Sequence, residues 1–401
     1  MRGHREAATP IDGTVAAGFE PVRETFAANF AERGEVGAAF AAYVDGQKVV
    51  DLWGGDARPG APWSENTLCL VWSTTKGATA LAAQILAERG QLDVDAPVAR
   101  YWPEFAVNGK ESVTVRDVLT HAAGLPYWEG YRELVTLDSS EGWGRSEDIA
   151  RALAAAAPVV EPGAVHGYHA VTYGWLLGEL VRRITGASLG EFFRVEVAEP
   201  LGLSFWIGLP PEEHGRVADL LSAPPVDDPE LAAMMEAAMG PDALTGRALL
   251  VGPGGGVDHA AETANAVEFR AAEVPAANGV TDARSLARMY AMLAMGGELD
   301  GVRIVSPQSI AAHTIERYRG DDVVLASEKR YALGYMRPYP PAEVFGPNDE
   351  AFGHPGMGGS LGFADPVARV GFGYVMNQMM PGIQVDPRAR ALADALYASL
   401  R

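Results

Sequence analysis

The stretch Trp72-Ser73-Thr74-Thr75-Lys76-Gly77-Ala78 opens an apolar run in which Ala78, Leu81, Ala82, Ile85 and Leu86 recur at helical spacing, with Gly90 as the stop signal. The pattern predicts a helix over residues 75–89. Ser73 and Lys76 are three residues apart, so one helical turn puts both side chains on one face. Ser73 then stands at the helix start, where backbone N–H groups and the dipole favour negative charge. A serine hydroxyl is a weak nucleophile that needs a base within hydrogen-bond reach. Lysine becomes that base when burial lowers its pKa. The competing reading is a helix-capping Ser73 beside a solvated Lys76. Only four lysines occur, at positions 48, 76, 110 and 329, so arginine supplies most of the cationic surface.

Composition removes several function classes. The 401 residues are 48% apolar and 21% charged, ordinary for a chain with a large core. With 52 acidic against 32 basic residues the net charge is −20, which repels nucleic acids and anionic membranes. The single cysteine, Cys69, excludes an intrachain disulfide and a cysteine-rich metal site. His166 and His169 have no third ligand partner in the pattern, so neither metal nor cofactor is expected. The N-terminal stretch MRGHREAATPIDGTVAAGFE has no apolar core, and no run approaches a membrane span. The expectation is a soluble, cytoplasmic protein with a small-molecule partner. Monomer and homo-oligomer remain equally open.

Working outward, residues 12–33 read as one helix. Residues 36–44 and 48–53 read as two strands joined by the hairpin signal Asp45-Gly46. An antiparallel pair this early argues against a parallel doubly wound sheet. Helices are expected at 115–120, 146–156, 171–184 and 189–197. Residues 220–239, Met-rich and acidic, suggest a cleft wall, and 252–256 a loop. Helices then return at 282–295, 307–315 and 387–400, with strands at 331–337, 360–365 and 370–376. The ends look α+β and the middle helical. The economical arrangement is a discontinuous α/β domain (1–91 and 279–401) with an inserted helical domain (92–278) and a cleft between them.

Ser-x-x-Lys does not stand alone. With it come Asp51-Leu52-Trp53-Gly54-Gly55, Leu119-Thr120-His121-Ala122-Ala123-Gly124-Leu125, Pro162-Gly163, Tyr173-Gly174-Trp175-Leu176-Leu177-Gly178, Pro200-Leu201-Gly202-Leu203 and Gly353-His354-Pro355-Gly356. Over nearly the whole chain this set resembles the serine β-lactamase and penicillin-binding-protein superfamily, most of all its family VIII carboxylesterases. The resemblance implies the β-lactamase/transpeptidase-like fold, an antiparallel sheet flanked by helices. It implies Ser73 as nucleophile and Lys76 as base, aided by the tyrosine of a Tyr-x-Asn element. Here that position reads Tyr168-His169-Ala170, so Tyr168 is carried over from its flanks. Beside a charged Lys76 its phenolate would be favoured, and the two would titrate together. Ala170 cannot hold a substrate amide as asparagine would, which weakens recognition of acylamino side chains.

The family's Lys-Thr-Gly element corresponds to His354-Pro355-Gly356-Met357. The resemblance places the N–H groups of Ser73 and Met357 as the oxyanion hole. His354 replaces a permanent cation with a mostly neutral ring able to donate one hydrogen bond, which points to neutral ester substrates. His354, Gly356, His169, Trp72, Tyr127 and Asn278 are the expected substrate-binding residues. Trp128 and Trp143 are candidates for the same apolar pocket, core packing being the equal alternative. Of two Gly-x-Ser-x-Gly matches, Ser360 has no histidine after it to complete an α/β-hydrolase triad, and Ser188 follows a helix ending at Gly186 rather than a strand and reads as the cap of the next helix. His121 reads as loop support. The implied activity is hydrolysis of short-chain or aryl esters. Acyl transfer, amide or β-lactam hydrolysis on the same nucleophile, and a non-catalytic binding module, are the alternatives.

Overall fold

The computed structural model describes residues 9–253, 259–341, 343–382 and 384–400. Its main sheet is antiparallel, in the order Ile11–Val15, Gln47–Arg58, Gly37–Val44, Val370–Met376, Leu361–Asp365, Phe352–Pro355. Asp45 and Gly46, both at positive φ (50° and 76°), turn the first hairpin with the twist its strands need. The two central strands come from opposite ends of the chain and pair Phe40 with Tyr374. Both are buried almost throughout.

The helix Ala283–Ala294 lies on one face of this sheet. Glycines let it come close. A Cβ on Gly371 would stand 2.3 Å from the amide nitrogen of Ala291, and one on Gly373 2.5 Å from that of Ala287. On the other side the helices Glu20–Glu32 and Pro387–Ala398 pack together, joined by Asn29 Nδ2 donating to the Arg388 carbonyl (3.3 Å). The buried Arg388 guanidinium is held by Glu35 and Asp386 (2.9 Å each). The helix Thr75–Glu88 is buried from Thr75 to Leu86. Just before it, Cys69–Leu70 pairs with Gly279–Thr281, which also pairs with Phe205–Ile207. This small sheet ties three distant segments together beside the Ser-x-x-Lys turn.

Several boundaries differ from the sequence reading. Residues 12–33 are not one helix: Ile11–Val15 is an edge strand on Gln47–Arg58, and the helix begins at Glu20 with Pro21 in its first turn. Val15 and Phe19 fell on the helical period by coincidence, while Gly18 at φ 92° breaks it. Residues 331–337 are not a strand. Ser327–Tyr331 pairs with Tyr318–Asp322, and the chain then leaves through Gly334 at φ 86°. The helix expected over 189–197 is α-helical to Phe193 and widens into a π turn over Arg194–Ala198. Within 220–239 only Pro229–Met239 is helical, capped by Asp228. In the 252–256 stretch Gly252 and Pro253 are loop, and 254–256 lie outside the described residues. Among the described residues no helix is long and apolar enough to cross a membrane.

Gly371→Ala should test the close packing of helix on sheet. Its methyl has no room, so a loss of about 1–3 kcal/mol is expected in urea unfolding. An unchanged midpoint would show that the helix can shift away freely.

Candidate active site

The turn before the buried helix is strained. Trp72 sits at φ 44°, an uncommon conformation for a bulky residue. Its carbonyl accepts from the Thr75 amide (3.0 Å) and from Thr75 Oγ1 (2.5 Å), and Thr75 Oγ1 in turn accepts from the Gly279 amide (2.8 Å). The turn is therefore bolted to the small sheet, and it presents Ser73 to a cavity.

Lys76 is fully buried. Its Nζ lies 3.1 Å from Ser73 Oγ, 2.7 Å from the Ala170 carbonyl and 2.9 Å from the Ala276 carbonyl. All three partners are neutral. Burial accordingly pushes this amine well below the ordinary lysine range. In the neutral form of the amine the two carbonyls, which can only accept, take both of its N–H bonds. The remaining tetrahedral position, a lone pair, then faces Ser73 Oγ. The reading of Lys76 as a solvated ammonium is excluded by this placement.

Tyr168 closes the triangle. It lines the same cavity as Ser73, and its ring centroid lies 4.7 Å from Lys76 Nζ. Burial raises the phenol far above its usual range. The expected phenolate is thus overturned: desolvation is the dominant effect on the phenol, and the same burial lowers the lysine.

His354, buried at 1% exposure, has Nδ1 2.6 Å from the Pro355 carbonyl. Nδ1–H donates there, leaving Nε2 as an acceptor 3.5 Å from the Tyr168 hydroxyl. Burial lowers its pKa to about 3. The ring is neutral, as expected, but its N–H is spent on the backbone and cannot serve a substrate.

These groups open onto a cavity of about 30 Å³. Ser73, Tyr168 and His354 supply its polar side; Ala170, Pro355 and Met357 adjoin them; Thr245, Leu249, Val324, Leu325 and Met336 complete the wall. Among the described residues the lining holds no lysine or arginine side chain. Gly356 stands where backbones nearly touch: a Cβ there would lie 2.2 Å from Ser360 Oγ and 2.3 Å from the Val71 carbonyl. Ser360 Oγ donates to Val71 O (2.8 Å) and bonds Thr74 Oγ1 (3.0 Å), strapping the Met357 turn to the Ser73 turn. Ser188 caps the helix Leu189–Phe193.

Four expected substrate contacts lie elsewhere. His169 is buried; its Nε2 accepts from the Leu125 amide, its Nδ1 bonds the Gly167 carbonyl, and its amide donates to His121 Nδ1. Asn278 spends its side chain on Phe269 O, Ala272 O and the Val274 amide. The Tyr127 hydroxyl accepts from Arg247 (2.8 Å). The Trp72 ring packs on Phe269, and Trp128 and Trp143 pack against Trp175. All are core or loop supports, because their side chains are engaged by backbone or ring partners, or for Tyr127 by the Arg247 guanidinium, away from the cavity. The wall residues Thr245, Leu249, Val324, Leu325 and Met336 escaped the sequence reading; they are scattered in loops and short helices with no shared periodicity. Ala276 escaped it too, since it acts through a carbonyl that no side chain advertises.

The β-lactamase family pattern matches residues 22–397. The chain belongs to the β-lactamase family. It is similar to the esterase/β-lactamase LipL of Mycobacterium tuberculosis, 37% identical over 393 residues, or 95% of this chain and 86% of that one. Its fold matches the crystal structure of a family VIII carboxylesterase with a TM-score of 0.84 at 42% identity, covering 97% of this chain and 100% of the other. EstA from Arthrobacter nitroguajacolicus matches with a TM-score of 0.83 at 34% identity, over 96% and 98% of the two chains. The resemblance drawn from the motifs agrees with all three.

The neutral histidines make a prediction for acid stability. His169 is lowered to about 3 by burial, while an unfolded histidine titrates near its ordinary value of about 6.5. Between these values the unfolded chain binds a proton that the native state does not, so this contribution to stability falls as pH drops below about 6.5. Glu35, raised by burial to about 7, works in the opposite direction. His169→Gln, whose carbonyl can still accept from Leu125, should lose less stability than wild type between pH 7 and 4 in urea melts. Parallel pH curves for the two proteins would refute a buried neutral His169.

Proposed function

We propose that this serine hydrolase is a carboxylesterase that cleaves short-chain or aryl esters through an acyl-enzyme on Ser73. The observation that carries the reading is the Lys76 amine between two carbonyls with its third valence on Ser73 Oγ. Lys76 takes the Ser73 proton as Oγ attacks the ester carbonyl. The tetrahedral oxyanion is held by the N–H groups of Ser73 and Met357. Tyr168, a neutral phenol, gives its proton to the departing alkoxide and regains one from the Lys76 ammonium. Water then repeats the cycle on the acyl-enzyme with the same two groups.

The choice of ester follows from the cavity. A β-lactam or D-Ala peptide carries a carboxylate, and among the described residues no lysine or arginine side chain lines this cavity to pair with it. His354 is neutral, and Ala170 offers no side-chain amide. The cavity is small and mostly apolar, which suits a short acyl group. The names of the similar proteins, an esterase/β-lactamase and a family VIII carboxylesterase, support the same class.

Ser73→Ala should lower p-nitrophenyl acetate and butyrate hydrolysis by about 10⁴-fold or more, and fluorophosphonate should label wild type once, on Ser73. Full activity in the variant removes Ser73 from the mechanism. Because the base works deprotonated and its pKa is lowered, kcat/KM should rise with pH and level off well below the usual lysine range. Lys76→Arg, which stays charged, should be inactive across that profile. Nitrocefin turnover matching ester turnover would contradict the substrate argument.

A further inference from the structure

The phenol and the cavity wall come from segments 154 residues apart, yet they share one anchor. Asp322 is 1% exposed. Its Oδ1 accepts from the amides of Tyr168 (3.1 Å), Val324 (3.0 Å) and Leu325 (2.9 Å), and its Oδ2 accepts from the Tyr331 hydroxyl (2.8 Å). Tyr168, Val324 and Leu325 all line the cavity. The same two segments meet again beside the carboxylate. The Val323 amide donates to the His166 carbonyl (3.0 Å), and a Cβ on Gly167 would lie 3.2 Å from the side chains of both Val323 and Val324. Thr245 Oγ1, also on the wall, donates to the Val324 carbonyl.

We propose that Asp322 is a positioning residue of the hydrolytic site, its buried carboxylate fixing the Tyr168 backbone and the Val324 and Leu325 wall as one unit. The inference rests on the esterase reading for its catalytic consequence, and on geometry alone for the coupling. A carboxylate buried this deeply is costly unless its oxygens are satisfied. Here three of its four bonds go to backbone amides of cavity residues, so the cost is met by the segments it organises. Truncating it leaves three amides without their acceptor and frees two segments together. The phenol then loses its placement in the Ser73 cavity, and the wall that limits the acyl group loosens.

The test compares wild type, Asp322→Asn and Asp322→Ala on p-nitrophenyl acetate and octanoate. It also follows hydrogen–deuterium exchange in peptides spanning 166–170 and 322–326. In D322A, kcat on acetate should fall about a hundredfold, the loss that a misplacement of about 1 Å brings. The octanoate-to-acetate ratio of kcat/KM should rise, and exchange should increase in both peptides at once. The side-chain amide of D322N keeps an acceptor oxygen for the three backbone amides, so this variant should stay within about threefold of wild-type kcat and retain protection in both peptides. Asp322→Ser takes the place of D322A if the latter does not fold. A folded truncation with wild-type kcat and chain-length ratio overturns the proposal. So does exchange that rises at 322–326 alone, or a D322N as impaired as D322A, which would make charge rather than hydrogen bonding the operative property. If wild type hydrolyses no ester, the esterase reading fails, and the exchange data still decide the coupling.

Discussion

An amine sealed from water between two peptide carbonyls governs this site. Lys76 has no anionic partner among its hydrogen-bond neighbours, so the interior sets its protonation by desolvation rather than by charge pairing. The carbonyls of Ala170 and Ala276 then fix which way its lone pair points. Both come from outside the helix that carries the nucleophile. The reactive geometry thus depends on segments that reach it from the far side of the chain, and on the small three-stranded sheet that holds Gly279 against Thr75.

The imidazole and phenol rings around that amine are uncharged. His121, His169 and His354 are all held neutral by burial, and Tyr168 is held as a phenol. Each histidine orders backbone or ring neighbours instead of titrating. His121 lies 4.8 Å from the Tyr168 ring and accepts from the His169 amide, so the tyrosine ring is packed by one neighbour while Asp322 holds its backbone. In the proposed mechanism these uncharged rings make proton movement between serine, lysine and phenol a local affair with little reorganisation.

Much of this was legible in the order of residues. The Ser73–Lys76 pair needed only helical periodicity, and the Asp45-Gly46 hairpin and the strand over 370–376 followed from turn chemistry and apolar runs. The motif set carried the fold and the place of Tyr168. What stayed hidden had physical reasons. Ile11–Val15 is an edge strand whose apolar residues share spacing with the helix that follows, so period alone joined them. Polar residues near the motifs, His169 and Asn278, looked like substrate contacts because sequence does not reveal that backbone groups already consume their bonds. Asp322 and Ala276 act on the site through backbone amides and a carbonyl, which no local pattern marks.

The pairing of the two central strands reaches beyond the resting enzyme. Val44 and Val370 stand opposite each other although far apart in sequence. While the polypeptide is still emerging from the ribosome, Gly37–Val44 waits with one edge unpaired and its apolar faces uncovered. It cannot be completed until Val370–Met376 has been made. Closure of so long a loop is slow, and an exposed strand edge invites partners from other nascent copies. This architecture therefore makes yield in the cell a race between translation and aggregation, with Val370–Met376 as the finishing line.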